Sequence, residues 1–104
     1  MTDFCVALTT TNSSKEASKI AESLVDERLA ACVNVISGVE SIYFWEGKRC
    51  HEKEWLLVVK LRANRVPELK RRLPQLHSYS SPELIVLQIT DGLSEYLSWL
   101  RANS

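Results

Sequence analysis

The chain alternates between two hydrophobic rhythms. Residues 4–9 form a largely apolar run, the pattern of a short buried strand, and residues 10–14 read as a polar linker. Ala17, Ile20, Ala21, Leu24 and Val25 then recur at helical spacing. Ser13 and Glu16 ahead of them stand at the separation of a capping box, so a helix is predicted over about residues 14–29. Residues 31–60 dominate the middle of the chain: two runs rich in Val, Ile, Trp, Tyr and Phe flank a polar turn at Glu46-Gly47-Lys48. β-Branched and aromatic enrichment around a glycine-bearing turn predicts a β-hairpin. Each arm exceeds the ~5–6 residues of an ordinary strand, so the hairpin should overhang the helices of so small a domain. Its far half would leave Tyr43, Phe44, Trp45 and Trp55 uncovered, and a second subunit is the natural cover.

The first arm falters at Ser37-Gly38, where a bulge is expected. Residues 55–61 are apolar at nearly every position, the mark of a strand buried at least partly on both faces. Asn64 is placed to cap a second helix carrying Val66, Leu69, Leu73 and Leu76 on one face. Pro67 suits its first turn, and Pro74 is expected to end or kink it near Leu73. Residues 77–82 read as a loop and 83–90 as a fourth strand, again apolar on both faces. Asp91-Gly92 turns into a last helix with Leu93, Tyr96, Leu97 and Leu100 inward. The order is β-α-β-β-α-β plus a C-terminal helix, an α+β ferredoxin-like split-βαβ sandwich. Helices on one sheet face would leave the other open, a second reason to expect an oligomer.

Composition narrows the partners. The 104 residues make a single domain, residues 1–104. Thirteen Lys and Arg balance thirteen Asp and Glu, which argues against nucleic-acid binding and leaves little repulsion between copies. Cys5, Cys32 and Cys50 are odd in number and widely spaced, so no disulfide framework is implied and the reducing cytosol is the expected home. The start, Met1-Thr2-Asp3, carries an acid where a signal peptide carries a base, and the first apolar run is too short for a membrane span. A cytoplasmic protein with no membrane partner is expected.

Several side chains carry chemistry. Cys32 as a thiolate is a soft metal ligand, or else a small buried strand residue, and Cys5 reads as core. Cys50 and His51 are adjacent in a strand, so they point to opposite faces and cannot chelate one ion together. His77, in a loop beside Tyr79, is either a metal ligand or a histidine that hydrogen-bonds its loop. Lys60 in an apolar strand needs a partner, for which Glu54 and Glu83 are candidates. Trp45 and Trp55 either stack on a planar ligand or are buried at a subunit contact. Lys70-Arg71-Arg72 reads as the solvated face of a helix. No phosphate-binding glycine loop, zinc-protease motif or nucleophile elbow is present in the sequence. An enzyme with Cys32 or Cys50 as nucleophile and His77 as base would need an orienting group and an oxyanion site that the sequence does not display.

Ala31-Cys32-Val33-Asn34, Ser41-Ile42-Tyr43 with Trp45-Glu46-Gly47-Lys48, Glu54, Lys60, His77-Ser78-Tyr79, Pro82-Glu83, and Gly92 with Tyr96-Leu97-Ser98-Trp99 resemble the CutA divalent-cation tolerance family. The resemblance runs over nearly the whole chain, in order and at family spacing. It implies a ferredoxin-like subunit in a tight homotrimer reminiscent of PII signal proteins, a link to copper and other divalent metals, and no enzymatic reaction. It also implies ligand sites in clefts between subunits. On this reading His77 and Cys32 are the metal ligands, and Lys60, Glu54, Tyr79 and Glu83 line the ligand cleft. Tyr43, Trp45 and Trp55 sit at the trimer interface. A PII-like signalling or protein-docking scaffold is the alternative. The family loop usually reads His-Pro-Tyr-Glu, whereas here Ser80 replaces the acid; some metal-binding members carry Cys near Thr9, and some a second His at Leu76. Those departures imply weak binding of copper or any other divalent metal.

Overall fold

The structure, a computed structural model, describes residues 3–104; the reading of Met1-Thr2 lies outside them. The elements are β1 (Phe4–Thr11), α1 (Ser14–Asp26), β2 (Cys32–Trp45), β3 (Lys48–Arg62), a 3-10 turn (Ala63–Arg65), α2 (Val66–Leu76), β4 (Ile85–Gln88) and α3 (Ser94–Ala102). The strands form one antiparallel sheet in the order β2-β3-β1-β4. β3 lies between β1 and β2, so α1 joins strands that are not neighbours. This is the split βαβ of the ferredoxin-like fold.

One sheet face carries Cys5 and Ala7 of β1 with Leu57, Val59 and Leu61 of β3, closing on Ala17, Ile20 and Leu24 of α1 and Leu69 and Leu73 of α2. Each of the larger side chains contributes roughly 1.5–3 kcal/mol by leaving water. The other face is not left wholly open. α3 crosses it at the Phe4 end, where Phe4, Ala31 and Leu100 are buried with Leu97 and Ile89 packed beside them. Only Leu97 and Leu100 of α3 point inward as expected. Leu93 precedes the helix and is 82% exposed, and Tyr96 stands over Lys60, whose Nζ lies 5.8 Å from the ring centroid.

Local chemistry fixes the element ends. The Ser13 hydroxyl accepts the Glu16 backbone N–H at 3.0 Å, but the Glu16 carboxylate turns away to Thr11 and Ser78, so only half of the capping box forms. α1 stops at Asp26, short of residue 29, because Arg28 takes a left-handed backbone (φ 59°) and the N–H groups of Leu29 and Ala30 both return to the Leu24 carbonyl. β1 continues through the expected linker: Thr10 and Thr11 pair with Leu56 and Trp55, and both are buried. Asn64 does not cap α2; it sits within the 3-10 turn, and Arg65 holds the cap position without a side-chain bond. Pro67 falls in the first turn as expected. Pro74 neither ends the helix at Leu73 nor prevents it from reaching Leu76. It lacks one donor in a final turn that the His77 N–H closes onto the Leu73 carbonyl at 3.1 Å. The fourth strand shrinks to Ile85–Gln88, an edge paired only with β1 and exposed along its length.

The hairpin is as long as the sequence predicts. Trp45 pairs with Lys48 around a two-residue turn in which Glu46 and Gly47 both have positive φ, 50° and 78°, the requirement of a type I′ turn. The ladder shifts register between Ile36 and Val39, where Ser37 and Gly38 oppose Trp55 and Gly38 has φ 77°. Beyond the bulge the strands are mostly exposed, and the molecule is drawn out to 45 × 25 × 24 Å. Phe44 and Trp45 there are 74% and 52% exposed. Among the described residues no helix is long and apolar enough to cross a membrane.

Candidate functional site: a cleft between the hairpin and the 77–81 loop

The loop after α2 is held from below by a buried polar network. The His77 side chain is 0% exposed, its Nε2 lies 2.7 Å from the Thr10 carbonyl, and its Nδ1 accepts the Tyr79 N–H at 3.1 Å. Those two partners assign the proton to Nε2. Glu16 accepts the Thr11 hydroxyl and both the N–H (3.0 Å) and the hydroxyl (3.1 Å) of Ser78, with His77 Nδ1 3.8 Å away. Burial alone would raise the Glu16 carboxyl. The hydrogen bonds from the Thr11 hydroxyl and from the Ser78 hydroxyl and N–H outweigh it and hold the group below its ordinary value.

With its first residues fixed, the loop lays Tyr79 across the end of β1. Its ring tilts against His77 at 4.7 Å between centroids, and its hydroxyl donates to Glu54 Oε2 at 2.6 Å. Glu54 is only 5% exposed. Burial first, and the Glu54 carboxylate second, push the Tyr79 phenol well above its usual range, so it stays a proton donor at every physiological pH.

Tyr43 and Trp45 share the sheet face of Glu54, because they pair opposite Cys50 and Lys48 in a ladder that alternates down to Glu54. With Tyr79, Ser80 and Ser81 they enclose a cleft of about 260 Å³. The Tyr43 phenol is raised by partial desolvation first and then by the negative field of Cys50, Glu52 and Glu54.

Of the residues singled out in the sequence, Glu54, Tyr79, Tyr43 and Trp45 come together here. Glu83 lies at the loop's far end, where its Oε1 accepts the Thr10 hydroxyl at 3.4 Å. Lys60 does not join them: it pairs with Val6 and Cys32 farther along β3, roughly 20 Å from Glu54 at the rise of a strand, and its partner is the Tyr96 ring rather than either glutamate. Cys32 heads β2 opposite Lys60, half-buried, with Sγ 4.0 Å from Asn34 Oδ1. His77 and Cys32 therefore lie at opposite ends of the sheet. Among the described residues no three His, Cys, Asp or Glu side chains converge as a metal site would require. Trp55 is on the helix face, opposite Thr11 and packed against the core, not beside Tyr43 and Trp45. Cys50 and His51 do take opposite faces; His51 Nε2 meets Glu40 Oε1 across the hairpin at 2.8 Å.

Glu16 and the Thr10-Thr11 pair escaped the sequence reading. Glu16 looked fully explained as a helix cap, and nothing local signals that it reaches Ser78. Ser81 completes the cleft without any residue signature, and Ser80 stood out only as the position where the family acid is replaced.

Comparison with known proteins gives the same answer from several directions. The profile of the family described as "CutA1 divalent ion tolerance protein" matches residues 5–103. The divalent-cation tolerance protein CutA of Thermus thermophilus is 48% identical over 99 residues, covering 95% of this chain and 96% of that protein. The chloroplastic CutA of Arabidopsis thaliana is 46% identical over 80% of this chain, which spans only 46% of the plant protein. Among solved structures, the Thermus thermophilus protein superposes with a TM-score of 0.94 at 46% identity, covering 97% of this chain and 98% of that one. CutA1 from Oryza sativa gives a TM-score of 0.94 at 37% identity, over 97% and 93% of the two chains. With motif, fold and full-length similarity in agreement, the chain belongs to the CutA divalent-cation tolerance family.

Proposed function

We propose that the protein acts as a homotrimer in divalent-cation tolerance, without catalysing a reaction, and that its ligand sites are clefts between subunits. The carrying observation is the far half of the hairpin. Ile42, Phe44 and Trp45 stand 61%, 74% and 52% exposed beyond the helices of their own subunit. A neighbouring copy that covers them gains about 25 cal/mol per Å² of apolar surface. β2 and β4 are the two edges of the sheet, so one copy's hairpin has a free edge to extend in another. The cleft beside Tyr79 is lined by Tyr43 and Trp45 of that same far half, so assembly would enclose it.

Metal binding, of copper or another divalent ion, is weak on this reading. His77 must give up one of its two hydrogen bonds to coordinate, and Cys32 stands beside the Asn34 amide with the cation Lys60 opposite it in the ladder. Each supplies one ligand, and water or a neighbouring subunit supplies the rest. Glu54, Tyr79 and Glu83 belong to the ligand cleft, and Lys60, farther along β3 against Tyr96, stands apart from it in the same chain. The three free cysteines support a reducing, cytoplasmic setting.

Native mass spectrometry with and without copper tests the proposal: a trimer is expected, and a monomer at micromolar concentration overturns it. Trp45→Asp should dissociate the trimer by burying an unpaired charge. Calorimetric copper titration of the wild type against His77→Ala and Cys32→Ser then identifies the ligand. Binding through His77 weakens on acidification, because only the neutral ring coordinates. Equal binding by His77→Ala and the wild type removes His77 from the site.

A further inference from the structure

We propose that Lys60 of one copy pairs with Glu54 of the next, so that the open face of the sheet closes the trimer through a ring of three ion pairs. The proposal rests on the reading of the protein as a homotrimer and deepens it by naming a second surface that meets a neighbour and the charges that set its register.

The face turned away from α1 and α2 carries Val6 and Leu8 of β1, Leu56 and Val58 of β3, Ile36 of β2 and Leu87 of β4. α3 covers only the Phe4 end of this face, and all six side chains stay partly or largely exposed. An apolar patch of this kind, continuous with the far half of the hairpin, suits a second copy better than water.

Two charges interrupt the patch, and neither is neutralised within its own chain. Glu54 and Lys60 share the face, since each stands an even number of residues from Leu56 and Val58 along β3. Six positions keep them roughly 20 Å apart. Glu54 is 5% exposed, and its one hydrogen bond among the described residues comes from the Tyr79 hydroxyl at 2.6 Å. Lys60 is half-buried against the Tyr96 ring and makes no ion pair among the described residues. The flanking strand charges on this face keep the division. Glu52 lies just beyond Glu54, and Arg62 just beyond Lys60, where it donates to the Ser104 carbonyl at 2.7 Å. Lys48 stands at the turn, as far from Glu54 as Lys60 is.

A copy laid over this face takes water from both charges, and a buried charge left unpaired is strongly destabilising. Opposite signs at opposite ends let the acidic end of one copy answer the basic end of another. Such pairing fits a reciprocal twofold contact or a head-to-tail ring, and the proposed trimer requires the ring. Tyr43 and Trp45 share the face of Glu54, so the same contact lays them on the neighbour's apolar patch.

The test is a charge swap read by light scattering. Lys60→Glu and Glu54→Lys should each release monomer at concentrations where the wild type is a trimer, and one chain carrying both changes should be trimeric again. An equimolar mixture of the two single variants should not recover fully, because a ring of three cannot alternate two kinds of chain and one like-charged contact always remains. Complete rescue by the mixture would mean a twofold contact and overturns the ring. Lys60→Met and Glu54→Gln, which keep side-chain volume, serve where a reversal does not fold. Each should raise the concentration of half-assembly about tenfold or more, and the two together by far less than the product. Additive losses, or a folded double swap that stays monomeric, overturn the pair and leave the trimer standing. A monomeric wild type refutes the trimer itself, and the pair with it.

Discussion

Replacing Tyr79 by Phe removes one oxygen and keeps the ring against His77. That oxygen donates the 2.6 Å hydrogen bond to Glu54, a carboxylate 5% exposed. A hydrogen bond to a charged group is worth about 1.5–3 kcal/mol, and the loss is felt in full when the acceptor stays buried without a replacement. We expect Tyr79→Phe to destabilise each subunit by about 2 kcal/mol. Urea unfolding at fixed protein concentration is the assay, since the proposed assembly would make the midpoint concentration-dependent. With a slope of ~1–3 kcal/mol per molar urea, the midpoint should fall by roughly 1 M. Glu54→Gln, made alone and with Tyr79→Phe, closes a double-mutant cycle, and the two losses should fall well short of adding. An unchanged midpoint, or strictly additive losses, would show that the loop is not anchored through this contact.

Other outcomes follow from the same network and from the hairpin. Because the folded-state carboxyl of Glu16 is held below its ordinary value of 4.5, its contribution to stability is present above that pH and is lost as pH falls through the depressed value; Glu16→Gln should flatten that part of a stability–pH profile. At the turn, Gly47→Ala should cost about 1 kcal/mol because φ is 78°, whereas Glu46→Asn should gain a few tenths, both read from thermal midpoints. Thr9→Val should raise stability by about 1 kcal/mol, since the Thr9 hydroxyl is buried without a partner among the described residues; an unchanged or lower midpoint would point to an unseen partner.

What was legible in the sequence was whatever depended on spacing. Ala17, Ile20 and Leu24 mark the inner face of α1, and Glu46-Gly47 between two β-branched runs marks the hairpin, because periodicity and turn chemistry are local. Thr10 and Thr11 were lost to the strand because a polar hydroxyl looks like a linker until its distant partner, Glu16 or Glu83, is known. The shortness of β4 was invisible for the same reason: Ile85 to Gln88 pair only with Cys5 to Leu8, although β1 itself runs on to Thr11. His77 illustrates the limit at the site. A loop histidine beside a tyrosine fits both a ligand and a brace, and only the Thr10 carbonyl, far away in sequence, distinguishes them. Trp45 and Trp55 look equivalent along the chain, yet the face each takes depends on a register shift between them.

That shift also governs the cleft. Between Ile36 and Trp45 the first arm holds one residue more than the second arm holds between Lys48 and Leu56. The looped-out position therefore works as a phase correction. In an uninterrupted ladder from Ile36, Ile42 and Phe44 would come up beside Tyr79, and Tyr43 and Trp45 would turn to the opposite side. The turn could no longer close over Glu46 and Gly47 alone. Whether the cleft is aromatic and polar-edged or plainly greasy is thus written at Ser37-Gly38, residues that do not line it. A single-residue loss anywhere between 37 and 42 would iron the bulge flat and leave the tip in phase, while a single-residue gain would not be absorbed in this way. The cleft's chemistry is buffered against shortening and exposed to lengthening, an asymmetry that a survey of insertions and deletions in this arm would reveal.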